Sequence, residues 1–422
     1  MKSRLLNDTL LFVLSAFSFF CYPLIRLLFL GSQRMQNFLA SRGQGADLLP
    51  GKVSRRAVFY CSSAGEYEQA RPIFSRLASR GDEVVIIFFS LSGYNFAKSR
   101  GEQHYFIMAP LDSKFRVRQY LLSLDPDFVV VVRHEIWPVF VSLVSGVAPL
   151  WLANFSAPAP GLLKRFLYTP ILSAFDHIFT VDQAAATWLL ESGISGAQIS
   201  IWGDSKFDSV AERAQLPHLK QRQSHGFANV VPNDSNLLIL GSAWPRDIEL
   251  VMEAFSKLPG SLSCKWRIVI APHDVSKKMV HYVHDLIGRY GMSAVDFTNV
   301  DDLEVWSSEI VICVDAVGYL TDLYSYSSAA FVGGAMHHRV HNVLEPAVYG
   351  NQIAFGPLYS TSREAGLLVD KDLATVVTDV EECLAWLGAL RLVRNANQPL
   401  VDLIEEYSGV ANNLDELLSS GI

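Results

Sequence analysis

The sequence predicts an α/β protein built from two doubly wound domains with a cleft between them, preceded by an apolar N-terminal helix. Three observations lead there. A chain of 422 residues is too long for one ordinary core. Short β-branched runs alternate with stretches of helical period, and the runs are apolar throughout, the pattern of parallel strands covered on both faces. The alternation lapses once, over residues 210–235, and then restarts.

In the first half the expected strands are "AVFYC" (57–61), "EVVIIFF" (83–89), "YFIMA" (105–109), "FVVVV" (128–132), "PLWLANF" (149–155), "HIFTV" (177–181) and "ISIWG" (199–203). Segments between them, such as "KFRVRQYLLSL", have helical spacing. "VAERAQLPHLKQRQSHGFANVVPNDS" is polar and turn-rich and reads as the linker. Strands resume with "NLLILGS" (236–242), "WRIVIAP" (266–272), "IVICVD" (310–315), "AAFVGG" (329–334) and "QIAFG" (352–356). The division is therefore an N-terminal segment 1–50, a first domain 51–209, a linker 210–235 and a second domain 236–422.

The N-terminal segment carries its own signal. "LLFVLSAFSFFCYPLI", Leu10–Ile25, holds sixteen uncharged residues, and "RLLFLG" extends it to about bilayer-crossing length if Arg26 snorkels. Residues 1–56 hold eight Lys/Arg against two acids, a charge of +6 that leaves −13 for the remainder. A cleaved signal peptide lacks an A-x-A-like site, and a buried helix would leave Phe and Leu on every face needing cover. A membrane anchor with a basic cytoplasmic flank explains both the apolar length and Arg26, Arg34, Arg42, Arg55 and Arg56. Whether it spans or lies in one leaflet stays open. Five scattered cysteines with no C-x-x-C pair fit a reducing compartment and argue against disulfides or a zinc site. Cys61 and Cys313 read as core.

"VFYCSSAGEYEQARPI", Val58–Ile73, stops an apolar run at two serines and a glycine, and Glu66 then opens a helix. An acid there offsets the helix dipole and meets unpaired amides. The carboxyl end of such a strand is also where α/β domains bind ligands, so cap and site both fit. The second-half strands likewise end in Gly241-Ser242, Pro272-His273, Asp315, Gly333-Gly334 and Gly356-Pro357. Glycine lets a phosphate approach the backbone, and Pro245 in "GSAWPRD" places Gly241 and Ser242 beside a helix start. "DPD", 125–127, precedes its strand and reads as a solvated turn. His281 and His284 lack a third metal ligand, and His337-His338 reads as loop. No P-loop or complete G-x-G-x-x-G stands where an NTPase or NAD site needs it.

"CSSAGEYEQARPI", "HEIWP", "GDSKFD" and "FVGGAMHHRVHNVLEPAVYG" occur in this order behind an apolar N-terminus. The set resembles the 3-deoxy-D-manno-octulosonic acid (Kdo) transferases over nearly the whole chain, as a divergent branch. The resemblance implies a GT-B fold of two Rossmann-like domains, the first binding acceptor and the second a CMP-sugar. It implies inverting transfer of Kdo from CMP-Kdo to the lipid A precursor lipid IVA in lipopolysaccharide biosynthesis, at the cytoplasmic face of a bacterial inner membrane. No metal cofactor and no nucleic-acid partner are expected.

The family's S-x-G-E base falls on Glu66, its E-x-W-P glutamate on Glu135 and its L-K-F lysine on Lys206. The resemblance places donor contacts on Pro272, His273, Val317, Gly318, Tyr319, Asn342 and Glu345; Ser242, beside a helix start, and His341, which equally fills a turn, are expected with them, and Ser63, Gly65 and Arg56 are expected on the acceptor side. The usual P-R-H reads Pro272-His273, M-G-E reads Val317-Gly318-Tyr319, and G-G-H-N is shortened to "RVHN", Arg339–Asn342. N-x-x-E, Asn342 to Glu345, also matches a capping box. A single displacement needs one carboxylate to take the acceptor's proton, which gives Glu66 a reason beyond capping.

Overall fold

The computed structural model describes residues 32–133, 136–157, 168–215, 227–231, 236–303, 306–392 and 397–419. The expected anchor, 10–25, lies outside them, and among the described residues no helix is long and apolar enough to cross a membrane. The chain divides into two compact units, Met1–Ser209 with Tyr407–Ile422, and Val210–Glu406.

The first unit holds β1 (Arg56–Tyr60), β2 (Glu83–Phe88), β3 (Tyr105–Met108), β4 (Phe128–Val132), β5 (Leu150–Phe155), β6 (His177–Thr180) and β7 (Ile199–Ile201). They form one sheet in the order β3-β2-β1-β4-β5-β6-β7, and each pairing is parallel. Continuous apolar runs make sense here because both faces are covered. Val58 and Tyr60 face one cluster with Val139, Phe140 and Val144 of the helix Pro138–Val144. Ala57, Phe59 and Cys61 face the other with Tyr67, Ala70 and Phe74 of the helix Ala64–Ser79.

The helices after β1 and β4 thus lie on opposite faces of adjacent strands. Between β1 and β4 the chain changes winding direction, and the two loops part there, the switch point at which open α/β sheets bind ligands.

The second unit repeats the plan with β8 (Asn236–Ala243), β9 (Trp266–Pro272), β10 (Ser293–Asp296), β11 (Ile310–Cys313), β12 (Ala329–Val332), β13 (Gln352–Phe355) and β14 (Ala374–Val376). The order is β10-β11-β9-β8-β12-β13-β14, again parallel throughout, with its switch between β8 and β12. The edge strands β10 and β14 are short and were not expected from the sequence, because three or four mixed residues carry no periodic signal.

Two domain limits differ from the sequence reading. The helix Ser205–Gln215 runs into the expected linker, and Phe227 near the linker's end packs on Phe297, Trp306 and Tyr326 of the second unit. At the other end the helix Val410–Ser419 leaves the second domain, since Val410, Ala411 and Leu414 pack with Tyr67 and Phe74 of the first. Its start is held by the buried Asp208, whose carboxylate accepts N–H bonds from Gly409 at 2.9 Å, Val410 at 3.2 Å and Ala411 at 3.5 Å. A helix packed across two hundred residues of sequence needs such a fixed start, because its own first amides have no partners.

Asp112 does the same for the helix Pro138–Val144, accepting from Val139 at 3.1 Å and Phe140 at 2.8 Å. Burial pushes its carboxyl up to about 6, against the pull of those two amides.

Asp208→Ala should cost about 1–2 kcal/mol in chemical denaturation and raise amide exchange across residues 407–419 first. Asp112 binds its proton more tightly folded than unfolded, so its ionisation removes stability as pH rises from about 4 through about 6. Asp112→Asn should flatten that decline in thermal melts, and an unchanged slope would show that another group carries it.

Candidate active site

Ser63 ends the loop after β1 in extended backbone and caps the helix Ala64–Ser79. Its amide donates to Glu66 Oε2 at 3.0 Å, and the Glu66 amide donates to Ser63 Oγ at 3.4 Å. The capping reading of Glu66 is therefore realised, and it places the carboxylate, half-buried, at the carboxyl end of β1 beside the switch point. Gly65 is exposed, and a Cβ there would meet only Ser63 Oγ, at 3.9 Å, so neither packing nor backbone angle demands glycine.

The loop after β2 leans on this turn. The Ser90 amide donates to the Ser62 carbonyl at 2.8 Å, and a Cβ at Gly93 would stand 2.9 Å from the Ala64 nitrogen. Gly93 thus permits the close approach of two helix starts, a need invisible in its own stretch of sequence.

On the far side of the switch, β4 ends in Arg133, at φ +64°, and β5 holds Asn154, at φ +58°. Side chains other than glycine rarely adopt such angles, which cost of order 1 kcal/mol and gather at functional sites. Buried Asn154 accepts from the Ser205 amide at 3.2 Å and donates to Ser205 Oγ at 2.5 Å. Arg133 reaches Asp204 at 3.6 Å, and Asp204 accepts from the Lys206 amide at 3.0 Å. Lys206 is thereby held in the first turn of the helix Ser205–Gln215, its start tied to the ends of β4 and β5. Glu135 lies outside the described residues, two positions beyond Arg133.

Arg56 is a correction. It begins β1, at the opposite end from Glu66, and is 2% exposed. Its guanidinium is spent on Glu83 at 2.8 Å, Leu124 O at 2.9 Å and Pro50 O at 2.9 Å. Buried and paired, it closes the bottom of the sheet, with Lys52 on Asp127 at 2.7 Å beside it, and has no hand left for an acceptor.

"DPD" lies on the same bottom edge, as its position before β4 predicts. Arg42 stands instead at the carboxyl-end edge, bonded to Phe89 O at 2.6 Å and set over the Phe38 and Phe89 rings at 4.0 and 4.8 Å. Phe89 in turn stacks on Trp137, at 4.6 Å. Arg42 Nη1, Trp137 Nε1 and Ser62 Oγ are buried with no hydrogen-bond partner among the described residues.

In the second unit β8 ends through Ser242, at φ +50°, and Pro245 opens the helix Pro245–Ser256 as its first residue, as expected. Glycine is required at 333 and 334: a Cβ would strike the backbone of Ser242 and Ala243, or the Arg339 carbonyl. Asp247, fully buried, accepts the Trp244 and Gly334 amides, each at 2.8 Å, and so staples the helix start to the glycine loop after β12. Burial raises its pKa against those bonds.

Pro272 ends β9, and the His273 amide donates to Ala243 O at 2.9 Å. The His273 ring lies across Trp244, at 4.7 Å and 16°, and across His341, at 4.6 Å and 21°. Trp244 Nε1 donates to His341 Nε2 at 3.2 Å.

Ser242, His273 and His341 are thus gathered with Trp244, which the sequence did not single out. Val317, 78% exposed, and Gly318, at φ +90°, form the loop after β11 with Tyr319, whose ring meets Phe297 at 5.0 Å. That loop is tied to the rest through Thr321, which donates to Glu345 Oε2 at 2.9 Å, while Asn342 donates to Glu345 Oε1 at 3.0 Å. Asn342 Oδ1 accepts from Leu344 and not from Glu345, so the expected capping box is replaced by a short turn with a side-chain pair.

His281 pairs with Asp285 at 3.4 Å, well exposed. His284 finds the partners that its own segment lacks: its Nε2 is 2.7 Å from Asp296, and the Cys313 thiol completes a group within 4.8 Å. Burial pushes that thiol up to about 12, so it offers little thiolate to a metal, and His284 and Asp296 already satisfy each other.

Residues 33–209 match the family model described as 3-deoxy-D-manno-octulosonic-acid transferase (kdotransferase). A 3-deoxy-D-manno-octulosonic acid transferase of Chlamydia trachomatis is 27% identical over 76% of this chain and 77% of its own. One of Aquifex aeolicus is 24% identical over 83% and 85%. A bifunctional glycosyltransferase/methyltransferase of Fusobacterium nucleatum is 22% identical over 90% of this chain, which spans 60% of that relative's length.

Among solved structures, a UDP-GlcNAc 2-epimerase of Methanocaldococcus jannaschii superposes with a TM-score of 0.55 at 14% identity, covering 87% of this chain and 100% of its own. A glycosyltransferase of Rickettsia africae gives 0.51 at 13%, covering 86% and 94%. These likenesses concern the fold, two parallel-sheet α/β domains consistent with GT-B. The resemblance read from the motifs is borne out: the chain is a relative of the 3-deoxy-D-manno-octulosonic acid transferases, whose domain it carries in residues 33–209.

Proposed function

We propose that this protein is an inverting glycosyltransferase that moves Kdo from CMP-Kdo to a lipid A precursor such as lipid IVA. The observation that carries the reading is the Ser63–Glu66 turn, a carboxylate fixed at the carboxyl end of β1 beside the switch point. In a single displacement the acceptor hydroxyl attacks the anomeric carbon while the bond to the phosphate of CMP breaks. The hydroxyl's proton passes to Glu66, and CMP leaves with the electron pair. The Ser63 amide keeps the carboxylate aimed, and the open space over Gly65 leaves room for an acceptor against the backbone.

Lys206 is assigned to the charge that grows on the leaving phosphate by the family's motif alone. Glu135 is assigned transition-state stabilisation by the family's motif alone. Ser242, Pro272, His273, Val317, Gly318, Tyr319, His341, Asn342 and Glu345 are assigned to the donor. The buried donors of Arg42, Trp137 and Ser62, with no acceptor among the described residues, support a polar, oxygen-rich ligand at the first unit's edge. Residues 10–25 are proposed to anchor the chain in the inner membrane, which raises the effective concentration of a lipid acceptor. No step calls for a metal.

The missing arginine between Pro272 and His273 favours one alternative, a transferase using another nucleotide sugar. Competition separates the two: CMP should displace the donor and UDP should not.

Glu66→Gln should lower transfer by about 10²–10⁴-fold with CMP binding and the melting temperature little changed. Turnover at the wild-type rate would remove Glu66 from this role. Gly65→Ala relieves the helix of a poor former and should leave the fold as stable or up to about 1 kcal/mol more so. It should raise the acceptor KM while the donor KM stays; an unaffected acceptor KM would place the acceptor elsewhere.

A further inference from the structure

We infer that Trp244 is a positioning residue that holds His341 as a neutral imidazole with its proton on Nδ1, so that His341 meets a phosphate oxygen of the nucleotide sugar as an uncharged hydrogen-bond donor. The inference rests on the nucleotide-sugar reading of this edge. An indole N–H can only donate. The nitrogen it faces, His341 Nε2 at 3.2 Å, must therefore present its lone pair. A neutral imidazole carries one proton, which then sits on Nδ1. A second proton would have to enter at Nε2, where the Trp244 N–H already points, so charging the ring breaks the bond.

The surroundings work in the same direction. Burial, then the charges of His273, Arg339 and His338, push His341 down to about 4. The acids of neighbouring elements bond to other groups: Asp247 takes the Trp244 and Gly334 amides through Oδ2, and Glu345 takes Asn342 and Thr321. His273 lies over the Trp244–His341 pair, and His337 tilts against Trp244 at 5.5 Å. The ring cannot retreat, because the Gly334 backbone stands directly behind its Cδ2–Nε2 edge.

Nδ1 has no protein partner among the described residues, while the neighbouring glycine loop and helix start supply the setting for an anion. A neutral donor stabilises phosphate charge without itself titrating, so His341 keeps one charge state across the working range. An ordinary histidine, near 6.5, would not.

Heteronuclear NMR of the full chain with ring-labelled histidine tests this, with the His341 signal assigned by its loss in His341→Gln. The expected result is a fixed Nδ1–H tautomer with no titration between about pH 5.5 and 8.5. Trp244→Phe keeps a ring under His273 and removes the donor. In it the proton should no longer be confined to Nδ1, so that the His341 ring shows both neutral tautomers, and the Kd for CMP should rise by about threefold or more at fixed pH.

A wild-type proton on Nε2, a wild-type His341 that titrates in that range, or an unchanged tautomer with unchanged CMP affinity in Trp244→Phe would each overturn the inference. If Trp244→Phe fails to fold, the wild-type spectrum decides. Failure of CMP to bind the wild-type chain at all would overturn the nucleotide reading itself, whereas the wrong tautomer with CMP bound would overturn this inference alone.

Discussion

Both units depend on one constraint, the change of winding direction within a parallel sheet. Helices that leave adjacent strands toward opposite faces cannot close over the strand ends between them, so loops at that point are left with amides to satisfy and space to fill. In the first unit the gap lies between β1 and β4. The Ser63–Glu66 turn stands on one side of it, and Arg133 on the other. In the second it lies between β8 and β12, flanked by Ser242 and the Gly333-Gly334 turn.

The turns at these gaps are held by buried or half-buried polar side chains bonded to backbone amides. Asn154 grips Ser205, Asp112 caps the helix after Trp137, and Asp247 joins the Trp244 amide to the glycine loop. Each carries a desolvation cost and offsets it with backbone amides that would otherwise be orphaned. The outcome is a set of loops fixed in uncommon conformations, at Arg133, Asn154 and Ser242, where a flexible loop would have to be ordered anew with each ligand.

Glu66 shows why structural and catalytic explanations need not compete. A carboxylate that accepts a cap amide is oriented by that bond, and orientation is what a proton acceptor requires. The same holds for Glu345, whose two oxygens are fixed by Asn342 and Thr321 and so knit two candidate donor loops together.

Sequence alone determined the strands of the first sheet, the central strands of the second, the Pro245 helix start and the position of Glu66 at a strand end. These follow from near-neighbour patterns: apolar runs, turn residues and capping spacings that the backbone reads locally. Tertiary structure decided the rest. Arg56 looked like a basic flank, and only the fold shows it consumed by Glu83 and two carbonyls from distant segments.

The return of Val410–Ser419 to the first unit hangs on Asp208, two hundred residues away. Trp244, His273 and His341 lie in three separate stretches and become one arrangement only when β8, β9 and β12 align. Hydrogen-bond partners distant in sequence leave no periodic trace, so their meeting is a property of the packed chain alone.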